Sequence, residues 1–190
     1  LLQDSGSRAY ADVIERALYN GVLSGMSLDG TKFFYQNPLL SFGNHHRSDW
    51  FECSCCPSNL SRLLATLGSY IYSESVDELR IHLHIGSSAK FALGGRVEGH
   101  IRQSGNAPWG GALRYEFALP APAEFAVAIR VPFWAEAPHA HVNEKPVSGD
   151  LSDGYLRIAR EWKNGDVIDL EFGLEVLRIE SNPKLAGNAG

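Results

Sequence analysis

The feature that most constrains this chain is a change of period. Before residue 73, apolar residues recur at helical spacing. After it they alternate, and residues 79–85 (Leu-Arg-Ile-His-Leu-His-Ile) repeat strictly every second position. The two patterns cannot belong to one kind of element, so a helical part, residues 1–76, precedes a β part, residues 77–190. Further strands are predicted over 89–93, 96–101, 112–118, 125–131, 156–158 and 167–172. Gly94-Gly95, Gly110-Gly111, Asp153-Gly154 and Asn164-Gly165-Asp166 punctuate them. Short strands with turn residues at such spacing predict an antiparallel β-sandwich. His82 and His84 share one side of their strand and are expected to face water or an interface.

The helical part begins with an amphipathic helix predicted over residues 7–23. Ala9, Val13, Ala17 and Leu18, with Tyr10, Ile14 and Val22, form its apolar face, and Asp12, Glu15 and Arg16 its polar one. Ser5 or Ser7 can cap its start. Residues 26–35 read as a hairpin turning at Asp29-Gly30, and residues 41–49 form a polar loop with His45, His46 and Arg47. A second helix carries Leu60, Leu63, Leu64, Leu67 and Ile71 at helical spacing. Two helices offer each other too little apolar surface, so this part is expected to be the tail of a larger helical domain. The chain also starts without Met and ends at 184–190 without a closing element, which again predicts a piece of a longer protein.

Just ahead of the second helix, residues 50–59 read Trp-Phe-Glu-Cys-Ser-Cys-Cys-Pro-Ser-Asn and contain all 3 cysteines. Disulfide geometry does not suit neighbours so close without strain, which leaves metal ligation or a reactive thiol as the better use. Pro57 suits a first helical position, so Cys55 and Cys56 are expected just before the helix N-terminus. The positive end of the helix dipole there favours a thiolate. His45 and His46 are candidates to complete a mixed sulfur and imidazole site, and loop histidines are otherwise solvated. Glu52 is a local candidate acid/base, or a solvent-facing neighbour. Trp109, Trp134 and Trp162 could stack on a sugar or pack the core.

Net charge of −5 and the lack of a Lys/Arg cluster speak against nucleic-acid binding. No apolar run approaches the ~18 residues of a membrane span. Three clustered cysteines are not a disulfide framework and point to a reducing compartment, the cytoplasm.

Several stretches together carry a resemblance. They are residues 10–21 (Tyr-Ala-Asp-Val-Ile-Glu-Arg-Ala-Leu-Tyr-Asn-Gly), Leu28-Asp29-Gly30, residues 34–39 (Phe-Tyr-Gln-Asn-Pro-Leu), Trp50-Phe51 and residues 53–59. Residues 129–135 (Ile-Arg-Val-Pro-Phe-Trp-Ala), Val142-Asn143 and the span from Gly154 to Asp166 extend it. The chain resembles glycoside hydrolase family 127, the β-L-arabinofuranosidases, over nearly its whole length. That resemblance implies an α+β multidomain fold: the last helices of an (α/α)6 barrel, then an antiparallel β-sandwich. It implies a retaining hydrolase of terminal β-L-arabinofuranosides, with Zn2+ as cofactor and a possible homodimer through the β-domains. Cys55 matches the nucleophile and a zinc ligand, Cys56 a second ligand, and Glu15 and Tyr35 match sugar contacts. The other two ligands, a Glu and a Cys, and the acid/base Glu are expected upstream of Leu1, so the piece alone is expected to be inactive. Ser58 stands where members commonly carry a proline, and the loop between Leu40 and Trp50 looks short. The residues themselves leave two other readings open: a non-catalytic carbohydrate-binding or structural module with a zinc-held thiol cluster, and a redox-active thiol protein.

Overall fold

The alternating half of the chain folds into strands that build two facing sheets. The computed structural model describes residues 2–38, 40–136, 138–176, 178 and 180–185. Leu39 of the quoted motif and most of the expected open end, from Ala186 onward, lie outside the described residues. In chain order the strands are β1 (Tyr72–Glu74), β2 (Glu78–Ile81), β3 (Ser87–Leu93), β4 (Val97–Gly105), β5 (Ala112–Ala118) and β6 (Ala123–Arg130). They continue with β7 (His139–Val142), β8 (Lys145–Val147), β9 (Asp150–Ser152), β10 (Tyr155–Trp162) and β11 (Val167–Glu171). One sheet has the order β1-β2-β6-β10-β9 and the other β3-β4-β5-β11-β7-β8. The expected antiparallel sandwich is therefore present with one exception: β2 pairs with β6 in parallel.

The core lies between the sheets. Trp162 is fully buried, its ring centroid 5.0 Å from Phe117 and 5.9 Å from Phe125, and its Nε1–H donates to the Phe125 carbonyl at 3.0 Å. That indole packs the core, as one of the two readings of the tryptophans expects, while Trp109 lies exposed in the connection between β4 and β5. Strand β6 is buried on both faces, which explains its nearly unbroken apolar run Ala126-Val127-Ala128-Ile129. Phe125, Val127 and Ile129 belong to the core between the sheets, while Arg130 meets the helical part.

The short strands β7, β8 and β9 were not expected. Each has only three or four residues, too few to display a period, and tight turns define them. Asn143 and Glu144 (φ 50° and 67°) join β7 to β8, and Asp153-Gly154 (φ 51° and 80°) joins β9 to β10. Two successive positive φ values match the twist of paired strands. Gly154 is also a close approach, since a Cβ there would collide with the Arg8 side chain.

His82 and His84 are buried, not facing water. Their segment follows β2 directly. The His82 ring is held between Ser73 Oγ (2.7 Å) and Tyr155 Oη (2.7 Å), and His84 between Tyr115 Oη (3.1 Å) and the Arg130 carbonyl (2.9 Å). Burial first, then nearby arginines, pushes their pKa values down to about 4 and about 3, so both are neutral.

In the helical part, α1 (Leu2–Ser5) and α2 (Arg8–Ala17) lead into a π-helical turn, Leu18–Val22, and a 3-10 turn, Leu23–Gly25. Ser7 stands at the N-cap of α2 without a side-chain cap bond. The predicted faces of α2 hold only in part: Leu18 is buried and Arg16 exposed as expected, but other positions are reversed. Val13 and Tyr10 are exposed, while Ala11, Asp12 and Glu15 are buried against the sandwich. The reason is Arg130: its guanidinium, wholly shielded from solvent, donates through Nη1 to Asp12 Oδ1 at 2.6 Å and through Nη2 to Glu15 Oε2. A buried arginine requires anions, and Asp12 and Glu15 on one helix face supply two. Arg16 over the Phe133 ring, 4.7 Å from its centroid, extends the same interface.

Candidate active site

Helix α3 spans Cys55–Thr66 with Ser54 at its N-cap, followed by a 3-10 turn, Leu67–Tyr70. It begins two residues earlier than expected. Cys55 and Cys56 are thus its first two residues, and Pro57 occupies the third position. Proline is tolerated there because none of the first four N–H groups has an intrahelical partner. Ser58 makes two bonds that a proline at its position could not: its N–H reaches the Ser54 carbonyl at 3.2 Å and its hydroxyl the same oxygen at 2.7 Å. Asn59 Nδ2 donates to the Cys55 carbonyl at 2.8 Å.

All three cysteines are free thiols, with Cys53 and Cys55 exposed and Cys56 half-buried. Cys55 Sγ lies 3.7 Å from Cys56 Sγ and 3.5 Å from Tyr35 Oη. Hydrogen bonding to Tyr35 foremost, then to Cys53 and Cys56, lowers the pKa of Cys55 below the ordinary thiol value. The bond to Cys55 correspondingly raises Cys56 and Tyr35. Between Cys55 and Cys56, Cys55 is thus the thiol favoured to ionise, with Tyr35 Oη and Cys56 Sγ in hydrogen-bonding reach of it.

The hairpin that carries Tyr35 forms as a small bridge. Met26 pairs with Phe33, and Phe33 with Ser48, which brings the loop back alongside. Asp29 Oδ1 gathers Ser27 Oγ (2.6 Å), the Thr31 N–H (3.0 Å) and Thr31 Oγ1 (2.9 Å), and these bonds pull its pKa down to about 2. The Tyr35 ring then leans on Phe51, with centroids 5.5 Å apart. An open groove of about 280 Å³ runs beside the cluster, bordered by Gly25, Tyr35, Asn37, Cys56, Asn59 and Leu63.

His45 turns away from the thiols: its Nε2 meets the Gln36 carbonyl at 2.9 Å and its ring stacks on Phe34 at 4.7 Å. His46 and Glu52 are exposed. Among the described residues no group of three or more His, Cys, Asp or Glu is arranged to hold a metal ion. The Cys55 and Cys56 sulfurs nonetheless suit a pair of zinc ligands. Two Zn–S bonds of about 2.3 Å at a tetrahedral angle place sulfurs roughly 3.8 Å apart, close to the 3.7 Å observed.

Glu15 lies in the domain interface. Its Oε2 takes the Arg130 bond, and its Oε1 accepts from Trp134 Nε1 at 2.8 Å. Sequence reasoning missed Arg130 and Trp134 in this role. The available signal was a lone arginine closing an apolar strand.

Comparison with known proteins decides the family. The model of the β-L-arabinofuranosidase GH127 catalytic domain matches residues 1–69, and that of the GH127 middle domain matches residues 78–174. The chain belongs to glycoside hydrolase family 127. Among curated relatives of the family, it is 35% identical to the non-reducing end β-L-arabinofuranosidase of Bifidobacterium longum subsp. longum, over 95% of this chain and 30% of the relative. The crystal structure of a GH127 β-L-arabinofuranosidase from Geobacillus stearothermophilus T6 superimposes with a TM-score of 0.86 at 39% identity, covering 98% of this chain and 31% of that one. A second GH127 β-arabinofuranosidase matches with a TM-score of 0.81 at 36% identity, over 89% of this chain and 29% of its own. The chain thus spans about a third of the length of these family members.

Proposed function

We propose that this chain is part of a retaining glycoside hydrolase that cleaves terminal β-L-arabinofuranosides with Cys55 as nucleophile. Residues 1–76 are on this reading the C-terminal piece of an (α/α)6-barrel catalytic domain, and residues 77–190 a β-sandwich. The observation that carries it is the exposed Cys55 thiol at a helix start, its pKa lowered by Tyr35, in a chain of this family. The exposed Val13 and Tyr10 on α2 and the half-buried leucines of α3 support partner helices supplied by a longer parent chain.

In the first step Cys55 Sγ attacks the anomeric carbon, the glycosidic C–O bond breaks, and the leaving oxygen takes a proton from a glutamate of the parent chain. In the second, that glutamate takes a proton from water, whose oxygen displaces Cys55 from the sugar. Tyr35 donates to the sulfur and steadies it as leaving group, and Glu15 accepts from sugar hydroxyls. Cys55 and Cys56 would hold a Zn2+ ion together with a Glu and a Cys from the parent, and a bound zinc keeps such thiols deprotonated. The clustered, unpaired thiols suit a reducing compartment, the cytoplasm, and the family resemblance implies a homodimer through the sandwich.

The test uses the parent enzyme and an aryl β-L-arabinofuranoside. Cys55→Ala is expected to abolish turnover while leaving the melting temperature nearly unchanged; near-full turnover would exclude the nucleophile assignment. The 190-residue chain alone is expected to show no turnover. Sugar binding without turnover in the parent would favour a carbohydrate-binding or structural module instead.

A further inference from the structure

We propose that Arg130 and Trp134 of the β-sandwich are positioning residues, which together fix the carboxylate of Glu15 for the sugar. This rests on the reading above that Glu15 contacts the substrate. Glu15 sits on the inner face of its helix, which meets the sandwich through the Asp12 and Glu15 pairs with Arg130 and through Arg16 over the Phe133 ring. Its two oxygens are held by different donors from the sandwich, Nη2 of Arg130 at Oε2 and the indole N–H of Trp134 at Oε1. A carboxylate offers about four lone-pair directions, so two remain for hydroxyl donors, and fixing both oxygens fixes the directions of those two.

The clamp is itself held. Arg130 Nε donates to the His82 carbonyl at 2.5 Å, and the Arg130 carbonyl meets His84 Nε2 at 2.9 Å. Trp134 packs edge-on against Phe172, with ring centroids 6.1 Å apart and planes at 79°. Charge balances across the group: Arg130 and Arg8 face Asp12 and Glu15, with Arg8 Nε 3.4 Å from Asp12 Oδ2. The sandwich is therefore part of the frame of the sugar site, because a carboxylate on α2 alone would be free to rotate about its side-chain bonds.

The experiment measures KM and kcat in the full-length parent on an aryl β-L-arabinofuranoside. Trp134→Phe keeps a ring and removes one donor; Arg130→Lys keeps the charge and removes the forked geometry. Trp134→Phe is expected to lower kcat/KM by roughly tenfold, the scale of one hydrogen bond to a charged group, mostly through KM and with little change in melting temperature. Arg130→Lys is expected to lower it at least as much. Adding Trp134→Phe to a Glu15→Gln enzyme should then cost nothing further, because the indole acts through that carboxylate. An impaired Glu15→Gln enzyme beside an unimpaired Trp134→Phe would overturn the positioning role alone. Full additivity of the two losses, or a fall in kcat with KM unchanged and a lowered melting temperature, would overturn it as well. A Glu15→Gln enzyme with normal KM would instead remove the sugar-contact reading beneath it, and the proposal with it.

Discussion

Tyr35 and Cys55 stand 20 positions apart in sequence and 3.5 Å apart in space. The tyrosine gives the sulfur a phenol partner from outside the helix, beside the Cys56 thiol within it. Replacing Tyr35 with Phe is expected to reduce kcat/KM of the parent by about tenfold, by loss of one hydrogen bond to an ionised group, with an unchanged melting temperature. Zinc analysis of the purified parent checks the second sulfur: Cys56→Ala is expected to lower bound zinc well below that of the unaltered enzyme, with activity falling in parallel. The cysteine run was legible in the sequence because three thiols in four positions have few uses. Tyr35 as the donor was not, since a tyrosine after two phenylalanines reads as core, and only the return of the hairpin beside α3 brings it to the thiols.

At the scale of elements, the contact between α2 and β6 is decided by charge rather than by apolar pattern. The apolar residues Tyr10 and Val13 were legible as a stripe, but a stripe does not say what covers it. One buried guanidinium on β6 turns Asp12 and Glu15 inward. Arg130→Met leaves both carboxylates nearly buried without their counter-charge, and is expected to destabilise by about 3–5 kcal/mol in urea denaturation. Replacing all three residues by apolar ones of similar volume should recover most of that loss. In the sandwich core, Trp162→Ala is expected to cost about 3–5 kcal/mol, since it empties the space between Phe117 and Phe125 and leaves the Phe125 carbonyl without its indole donor.

Over the whole molecule, stability should fall with acidity in two overlapping windows. His82 and His84 have folded pKa values of about 4 and about 3, below the ordinary 6.5. Between pH 6.5 and 4 the unfolded chain therefore takes up protons that the folded one refuses. Their stabilisation is complete above pH 6.5 and declines as pH falls, by up to about 1.4 kcal/mol per pH unit for each histidine. Glu78 acts lower. Burial raises its pKa, but hydrogen bonds from Arg80 (2.5 Å) and Arg157 (2.8 Å) prevail and leave it below 4.5, so its contribution is lost only under more acid conditions. Urea midpoints measured from pH 7.5 to 4.5 check the first window, and His82→Gln should flatten the curve by about one histidine's share. A midpoint that stays level from pH 7 to 5 would exclude this origin.

The helical and sheet halves, the main strands and the helix that starts at the cysteines all follow from period and turn residues, because those signals act between near neighbours. The short edge strands, the parallel pairing of β2 with β6 and the burial of both histidines do not. They depend on which distant segment lies alongside, and alternation is blind to that. The same holds for Glu15, whose environment comes from a residue 115 positions later. Local chemistry placed the sulfur; only tertiary packing placed the carboxylate, because a buried charge takes its partner from wherever the fold supplies one.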